Sequence, residues 1–578
     1  MAPMNLHDLP SEVVHQILLL IQPTSLPTLE LVSKQFSEFA NQPLLWQHHC
    51  RDQFKYWNAV RNMKEKFASN VADTDWKELY SERYRIDRDI TRRINSILAN
   101  QTGRIQKSAE IVGYGLEAKD TLVSHCNIDD DADDVLARRS SAIQQWKELQ
   151  STGRVPLETA LSAFDMFISC DDEVEFDTIS VNLDSIAREV LEESPGLIDQ
   201  TSRQQAIQVT NILRRKNFRG VQHTAHYHDL SNNFIGIALR DEQHQALPIV
   251  QAAIYCCVAQ RIGLDAHPCG FPRHVHVIIK PPSGRDLDGR VGSPNTESPA
   301  MYIDPWRSSE ETPKEELIMR LQTLKVRPSN FEALLGPSST AEIIRRTARN
   351  IVTSVEMLPQ IMGAGGHSNF PVTSPSAKDA IYGALWALLL LPEGASDEIR
   401  SQQERYIPYI LRYVEQDFLL DLGLFQKNAL ACFQEQYHYE QLRDKVFRMV
   451  VDDGMPKKRK VRGVKRHESV RYKVGQVFRH KRYHYSAIIT GWDVECEATE
   501  AWIAQMNIRS LPGGQHQAFY HVMVEDQSVR YVAEENIQVV TPESVTPGLM
   551  AIAGQHFKRW DQTAKCFVSN VRDEYPDD

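Results

Sequence analysis

Apolar residues recur at helical spacing through the first fifty residues of the chain. The first stripe is Val13, Val14, Ile17, Leu18 and Ile21, and the second is Leu26, Leu29, Val32 and Phe36. Pro23 and Pro27 interrupt the pattern between the stripes, and Trp46 closes a third short turn. The pattern predicts three short helices over residues 1–50. A unit of this size buries too little apolar surface to be stable alone, so we expect it to have a partner.

Helical periodicity continues through most of the chain. It predicts a helical connector, a mostly helical α+β domain and a helical extension, over residues 51–150, 156–357 and 374–449 respectively. In the α+β domain, a continuous apolar run predicts a buried helix after Leu247, which Gly263 ends. Two short apolar runs, at 275–279 and 301–304, predict strands.

The pattern changes near the C-terminus, where apolar and polar residues alternate. Four such runs, at 472–481, 485–493, 519–526 and 529–537, predict short antiparallel strands. We expect a small antiparallel β-barrel over 469–545, preceded by a basic linker over 450–468 and followed by a tail over 546–578. The predicted fold class is therefore multidomain and α-rich (α+β).

Composition and charge exclude several classes of protein. The net charge of −11 opposes bulk affinity for nucleic acid. The nine cysteines contain no CxxC pair, so their spacing predicts neither a zinc ribbon nor a disulfide framework. The first residues lack the basic and apolar regions of a signal peptide, and no apolar run is long enough to span a bilayer. We expect an intracellular protein, nuclear or cytoplasmic, without membrane contact, cofactor or bound metal.

The N-terminal unit resembles an F-box. Leu-Pro-x-Glu at 9–12, Leu-x-x-Val-x-x-x-Phe at 29–36 and Pro-Leu-Leu-Trp at 43–46 carry the resemblance. It implies docking on the Skp adaptor of a cullin-RING (SCF) ubiquitin ligase. The residues expected to bind Skp are Leu9, Pro10, Glu12, Val14, Ile17, Leu18, Leu26, Leu31, Val32, Leu44 and Trp46.

The α+β domain resembles the transglutaminase-like domain of the bacterial SirB type. Leu-Pro-Ile at 247–249, Gly-Phe-Pro-Arg-His at 270–274 and Tyr-Ile-Asp-Pro at 302–305 carry this resemblance. It implies His274 as the base and Asp304 as the acid that orients it. The nucleophilic cysteine expected at the start of the helix is absent, because Cys256 and Cys257 lie two turns further on, about 10 Å away. We therefore expect a vestigial, inactive site without catalytic residues.

The C-terminal region resembles the YccV type, also called HspQ or hemimethylated DNA-binding. Gly-Gln-Val-x-Arg-His at 475–480 and Tyr-Val-Ala-Glu-Glu-Asn-Ile at 531–537 carry it. Acidic and basic residues nearly balance in this region, which favours a protein partner over DNA. The candidate ligand or DNA patch comprises Arg479, His480, Lys481, Arg482 and Tyr485. The segment Pro456, Lys457, Lys458, Arg459, Lys460 and Val461 resembles a nuclear-import signal.

The order of these three domains resembles that of the F-box only protein twenty-one-like family. The chain looks like a shorter, fungal form of that family. That resemblance implies a non-catalytic substrate receptor of an SCF ligase, with an unknown client bound by the later domains. One alternative is a DNA-associated nuclear factor. Another is an active transglutaminase or cysteine-protease-like enzyme, which the absent cysteine opposes.

Overall fold

The computed structural model describes residues 9–578 with gaps. The gaps are 100–101, 126–130, 169–175, 224–225, 292–298, 364–374, 395, 434–438, 463–469, 526–527, 541–544, 547–548, 551–552, 554–556, 562, 570 and 572–573. Contacts group the chain into two units, one formed by Met1–Ala137 with Leu419–Asp578 and the other by Arg138–Phe418. The stretch 374–449, expected as one helical extension, is therefore divided between the units after Phe418.

The first unit begins with short helices and contains one long one. The helices of its N-terminal part are α1 (Ser11–Leu19), α2 (Leu26–Glu30), α3 (Lys34–Ala40), α4 (Pro43–Gln53), α5 (Met63–Ala68), α6 (Trp76–Ala99), α7 (Arg104–Gly113) and α8 (Lys119–His125). Four helices stand where the sequence predicts three, because Ser33 starts a new helix. The Ser33 Oγ accepts a hydrogen bond from the Phe36 N–H at 3.2 Å, which caps α3.

Helices α1 to α4 pack on α6 around a shared apolar core. Val14, Leu18, Leu26, Leu45 and Trp46 are buried there with Trp76, Leu79 and Tyr80 of α6. The Trp46 Nε1–H donates to the Ala40 carbonyl at 2.7 Å, so the indole is both buried and satisfied. The partner that the N-terminal helices need for their inner face is thus α6.

The second unit is mainly helical. After α9 (Asp131–Thr152) its helices are α10 (Leu157–Ile168), α11 (Phe176–Glu193), α12 (Ser202–Arg215), α13 (Ile235–Arg240), α14 (Pro248–Arg261), α15 (Lys314–Thr323), α16 (Phe331–Leu335), α17 (Thr340–Gly363), α18 (Ala377–Leu390) and α19 (Ser396–Gln416). Nearly every residue of α14 is buried, as its apolar run predicts. Gly263 follows it with φ of 100°, a left-handed conformation that suits glycine after a helix.

A three-stranded antiparallel sheet completes the second unit. Its strands β1 (Asp265–Pro268), β2 (Val277–Lys280) and β3 (Met301–Ile303) lie in that order. The two predicted strands are confirmed as β2 and β3, whereas β1 was not predicted. Val277 pairs with Ile303. Continuing this register sets His276 opposite Asp304, on the face that also carries His274.

The C-terminal part of the first unit contains α20 (Leu422–Leu424), α21 (Tyr439–Gly454), α22 (Glu500–Gln505) and a five-stranded antiparallel sheet. The strands are β4 (Val477–His480), β5 (Ser486–Asp493), β6 (Phe519–Val524), β7 (Val529–Ala533) and β8 (Ile537–Val539), in the spatial order β7-β6-β5-β4-β8. Among the described strands no ladder joins β7 to β8, so the sheet is open where a closed barrel was expected. The fold class, a multidomain α-rich chain ending in antiparallel strands, is confirmed.

Residues 546–578, expected as a tail, instead complete the core of this sheet. They include the hairpin β9 (Phe557–Asp561) and β10 (Cys566–Ser569). Phe557, Phe567 and Tyr575 are buried among the residues of the five-stranded sheet. The Phe567 N–H donates to the Gly475 carbonyl at 2.9 Å, and a Cβ on Gly475 would lie 2.0 Å from the Phe567 carbonyl oxygen. Gly475 is therefore required for this contact.

Among the described residues, every helix is either too short or too polar to cross a membrane.

Candidate functional site

The N-terminal helices divide the residues expected to bind Skp into two groups. Val14, Leu18, Leu26 and Trp46 are buried in the core shared with α6. Pro10, Glu12, Ile17, Leu31, Val32 and Leu44 are exposed, and Leu9 is half-buried. The buried group can affect a partner only by holding the exposed group in place. Val13 and Leu20 are also exposed apolar residues, although the sequence assignment omitted them.

The N-terminal helices expose more large apolar side chains than is usual for the surface of a small helical unit. Ile17, Leu31, Val32 and Leu44 are large apolar residues, and each is more than one-third exposed. Single exposed leucines are common, but several on one small helical assembly are typical of a protein–protein interface. We call Ile17, Leu31, Val32 and Leu44 the apolar surface set.

The second unit brings His274 and Asp304 into contact. The His274 Nε2 lies 2.8 Å from the Asp304 Oδ2, and both side chains are largely buried. Burial alone would raise the pKa of Asp304, but the hydrogen bond and charge of His274 outweigh it and the net shift is downward. The Asp304 carboxylate therefore stays ionised and orients the imidazole, as an acid does beside a catalytic base.

No cysteine stands beside this pair among the described residues. The helix α14 begins with Pro248, Ile249 and Val250, none of which is a nucleophile. Cys256 and Cys257 lie within α14, and burial raises the pKa of both thiols well above the usual value. The third thiol of the region, Cys269, donates to the Leu334 carbonyl at 3.4 Å, and burial raises its pKa to about 11. None of these thiols is a reactive thiolate at neutral pH.

His276 is a neighbour of the pair that the sequence assignment missed. It is fully buried, its Nδ1 lies 3.1 Å from the His274 carbonyl, and burial lowers its pKa to about 4. The spacing of two residues from His274 is the signal that could have found it, because alternate residues of a strand share a face. The His276 Nε2 and the Asp304 Oδ1 have no hydrogen-bond partner among the described residues.

These three residues form a set that could hold a metal ion. One ligand atom from each of His274, His276 and Asp304 lies within 4.8 Å of the others. Two histidines and one carboxylate are ligands that suit zinc or ferrous iron. The Arg307 Nε, 3.7 Å from the Asp304 Oδ2, places a competing cation beside the same carboxylate.

The candidate patch on the C-terminal sheet is only partly accessible. Arg479, Lys481 and Arg482 are exposed and Tyr485 is half-buried, whereas His480 is buried. The His480 Nδ1 accepts hydrogen bonds from the backbone N–H groups of Arg482 and Tyr483, both at 3.1 Å. The histidine thus stabilises the turn after β4 and is not available to a ligand.

Comparisons with known proteins agree with this architecture. The F-box-like family matches residues 6–52, the Transglutaminase-like superfamily matches 177–349, and the family described as Hemimethylated DNA-binding protein YccV like matches 470–564. The chain therefore contains an F-box, a transglutaminase-like and a YccV-like domain.

The chain is also similar to curated proteins named F-box only protein 21. It is 26% identical to the F-box only protein 21 of Homo sapiens over 355 residues, which cover 59% of this chain and 51% of the relative. The F-box only protein 21 of Mus musculus is also 26% identical over 355 residues, covering 59% and 52%. The chain spans about half the length of the curated relatives it matches. No solved structure matches it.

The basic segment before the YccV-like domain is partly fixed by that domain. Lys457, Lys458 and Arg459 are exposed. The Lys460 Nζ donates to the Asp493 Oδ1 at 2.6 Å and to the Trp492 carbonyl at 3.2 Å. Residues 463–468 of the expected linker lie outside the described residues. The nuclear-import role of 456–461 stays a prediction, and Lys460 has a structural role as well.

Proposed function

We propose that this F-box protein is a substrate receptor of an SCF ubiquitin ligase. Its F-box binds the Skp adaptor and through it a cullin-RING ligase, and the two later domains bind a client protein. The observation that supports this most is the apolar surface set, which remains exposed after the inner face of the F-box helices has been buried on α6. A second apolar face left in water on so small a unit indicates a partner.

In this proposal the chain performs no bond-making step itself. It holds a client lysine near ubiquitin carried by another subunit, and proximity supplies the rate advantage. The absence of a cysteine from the start of α14 supports an inactive transglutaminase-like domain, and the thiols of Cys256 and Cys257 further along the helix are buried with raised pKa values. His274 and Asp304 then keep the architecture of a catalytic pair without its nucleophile.

Binding of the Skp adaptor is the direct test. The full chain and purified Skp adaptor should co-elute on size exclusion, and Ile17→Asp should abolish the complex without unfolding the chain. Val181→Asp, a charge placed on an exposed valine of α11 in the other unit, is the matched control and should leave the complex intact. Point variants are preferable to removing residues 1–50, because that deletion would expose Trp76 and Tyr80. Failure of the unaltered chain to bind the adaptor would reject the proposal.

A DNA-associated role is the second candidate, favoured by the match to the hemimethylated DNA-binding family. The exposed Arg479, Lys481 and Arg482 are the residues that would contact phosphates. Retention of the full chain on a hemimethylated duplex, lost with rising salt and with Arg479→Gln plus Arg482→Gln, would support it. Equal retention of the chain and this variant would reject it.

A further inference from the structure

A cleft opens in the transglutaminase-like domain at the N-terminus of α14. Its volume is about 200 Å³, and Leu247, Pro248, Ile249 and Val275 form its apolar part. Three arginines, Arg273, Arg346 and Arg349, line the remainder together with His228, Asn350 and Thr353. None of the described lining residues is an aspartate or glutamate. The cleft therefore presents a concentrated positive charge without an internal counter-charge.

Arg346 is the innermost of the three arginines. Its Nη2 donates to the Phe271 carbonyl at 2.9 Å, and it forms no ion pair with a described residue. Burial lowers the pKa of this guanidinium, although the charge of Glu342 acts in the opposite direction. Its present neighbours thus leave the positive charge under-compensated, and an anion in the cleft would correct that.

The other two arginines lie at the rim of the cleft. Arg273 makes no hydrogen bond or ion pair with any described residue. The Arg349 Nη2 lies 3.7 Å from the Glu393 Oε2, and both side chains are more than half exposed. An ion pair of this kind contributes little in water, so both guanidinium groups are available to a ligand.

The start of α14 adds to the positive potential of the cleft. Leu247 is the N-cap residue, no side chain caps the helix, and Pro248 at its first position has no N–H. The positive end of the helix dipole therefore faces the apolar part of the cleft without a protein anion to offset it.

We propose that this cleft binds a phosphate group and that the phosphate is carried by a phosphorylated client protein. The second part rests on the proposed function. A dianionic phosphate matches three guanidinium groups better than a single carboxylate, because arginine binds phosphate through paired hydrogen bonds. The hydroxyl of Thr353 and the amide of Asn350 supply further donors.

The size and accessibility of the cleft fit a group attached to a protein. A volume of 200 Å³ corresponds to about six or seven water molecules at about 30 Å³ each, enough for a phosphate and the side chain that bears it. Arg273, Arg349 and Thr353 are exposed, so the group can enter from solvent. His274 pairs with Asp304 and is not a lining residue, so the His274–Asp304 pair does not belong to the proposed phosphate site.

Binding of defined probes to the full chain tests the proposal. The probes are a short glycine–alanine peptide with one phosphoserine, the same peptide with glutamate or serine at that position, and inorganic phosphate. Isothermal titration should show saturable binding of the phosphopeptide, tighter than that of the glutamate peptide. Arg273→Gln with Arg349→Gln should weaken it by about tenfold or more, since two charge-assisted hydrogen-bonding groups are lost.

Arg327→Gln is the matched control, because Arg327 is an exposed arginine of the same unit outside the cleft and its loss should change nothing. Three results would overturn the proposal: no phosphate probe binds, the double variant binds as well as the unaltered chain, or the glutamate peptide binds as tightly as the phosphopeptide. If inorganic phosphate binds saturably and the phosphopeptide does not bind, the assignment of the phosphate to a client protein is overturned. No Skp adaptor is present in this assay, so its outcome is independent of the test of the F-box.

Discussion

Truncation of Leu31 and Leu44 should weaken Skp binding while leaving the fold intact. Leu31 lies after α2 and Leu44 in the first turn of α4, and neither belongs to the core shared with α6. Replacing an exposed apolar residue by alanine usually changes the free energy of unfolding by less than about 0.5 kcal/mol. Any large effect of the double variant must therefore arise in the complex.

The exposed fractions of the two side chains set the expected magnitude. Leu→Ala removes three carbon groups, whose burial is worth about 2 kcal/mol. Exposure is 87% for Leu31 and 57% for Leu44, and scaling by these fractions gives about 3 kcal/mol for the pair. That energy corresponds to a Kd about 100-fold weaker.

Isothermal titration of the full chain against purified Skp adaptor measures this change. Val181→Ala truncates an exposed valine of the second unit and should leave the Kd unaltered. Leu18→Ala provides the opposite control, because Leu18 is buried and its loss should cost about 2–5 kcal/mol of unfolding free energy. A double variant whose Kd stays within about threefold of the original would show that the apolar surface set is not the binding face.

Three further predictions concern the other domains. Burial raises the pKa of Asp165 to about 7, so the folded chain holds a proton there that the unfolded chain releases near pH 4. The free energy of unfolding should therefore fall as the pH rises from about 4 to 7, by at most about 4 kcal/mol. Asp165→Asn keeps an acceptor for the Gly236 N–H and should remove that dependence in urea unfolding at pH 5 and 8; an unchanged pH profile would contradict it. Lys460→Met removes the cation beside the buried Asp493 carboxylate and should lower the unfolding free energy by about 3 kcal/mol in urea titration. An unchanged midpoint would contradict a structural role. His274→Ala should leave amine incorporation into a glutamine substrate at the background level of the unaltered chain, whereas a measurable rate that disappears would restore the enzyme hypothesis.

Local sequence signals predicted much of the fold. Helical periodicity located α1, the helical connector that contains α6, and the buried α14, and short apolar runs located β2 and β3. The absence of a nucleophile could also be read from the sequence, because the start of a helix is defined by neighbouring residues such as Leu247 and Pro248. These features depend on residues within one or two turns of each other.

Features that join distant segments could not be predicted in this way. The hairpin β9–β10 lies in a segment whose pattern predicted only a tail, and Phe557 and Phe567 become core residues through packing with the five-stranded sheet. The arginine-lined cleft combines Arg273 with Arg346 and Arg349, which are more than seventy positions away in the sequence. Separate arginines on exposed segments give no signal until the fold brings them together.

The start of α14 relates the inactivity proposed for the transglutaminase-like domain to the proposed binding of phosphate. In the transglutaminase-like arrangement a helix N-terminus lowers the pKa of a cysteine, because the dipole stabilises the negative charge of the thiolate. In this chain apolar residues, Pro248, Ile249 and Val250, occupy that place, so no anion forms there. The field of the helix is unchanged by the loss of the thiol, and Arg273, Arg346 and Arg349 add three positive charges to it. If both proposals hold, the place where the transglutaminase-like arrangement forms a negative charge on the protein instead favours a negative charge brought by a partner.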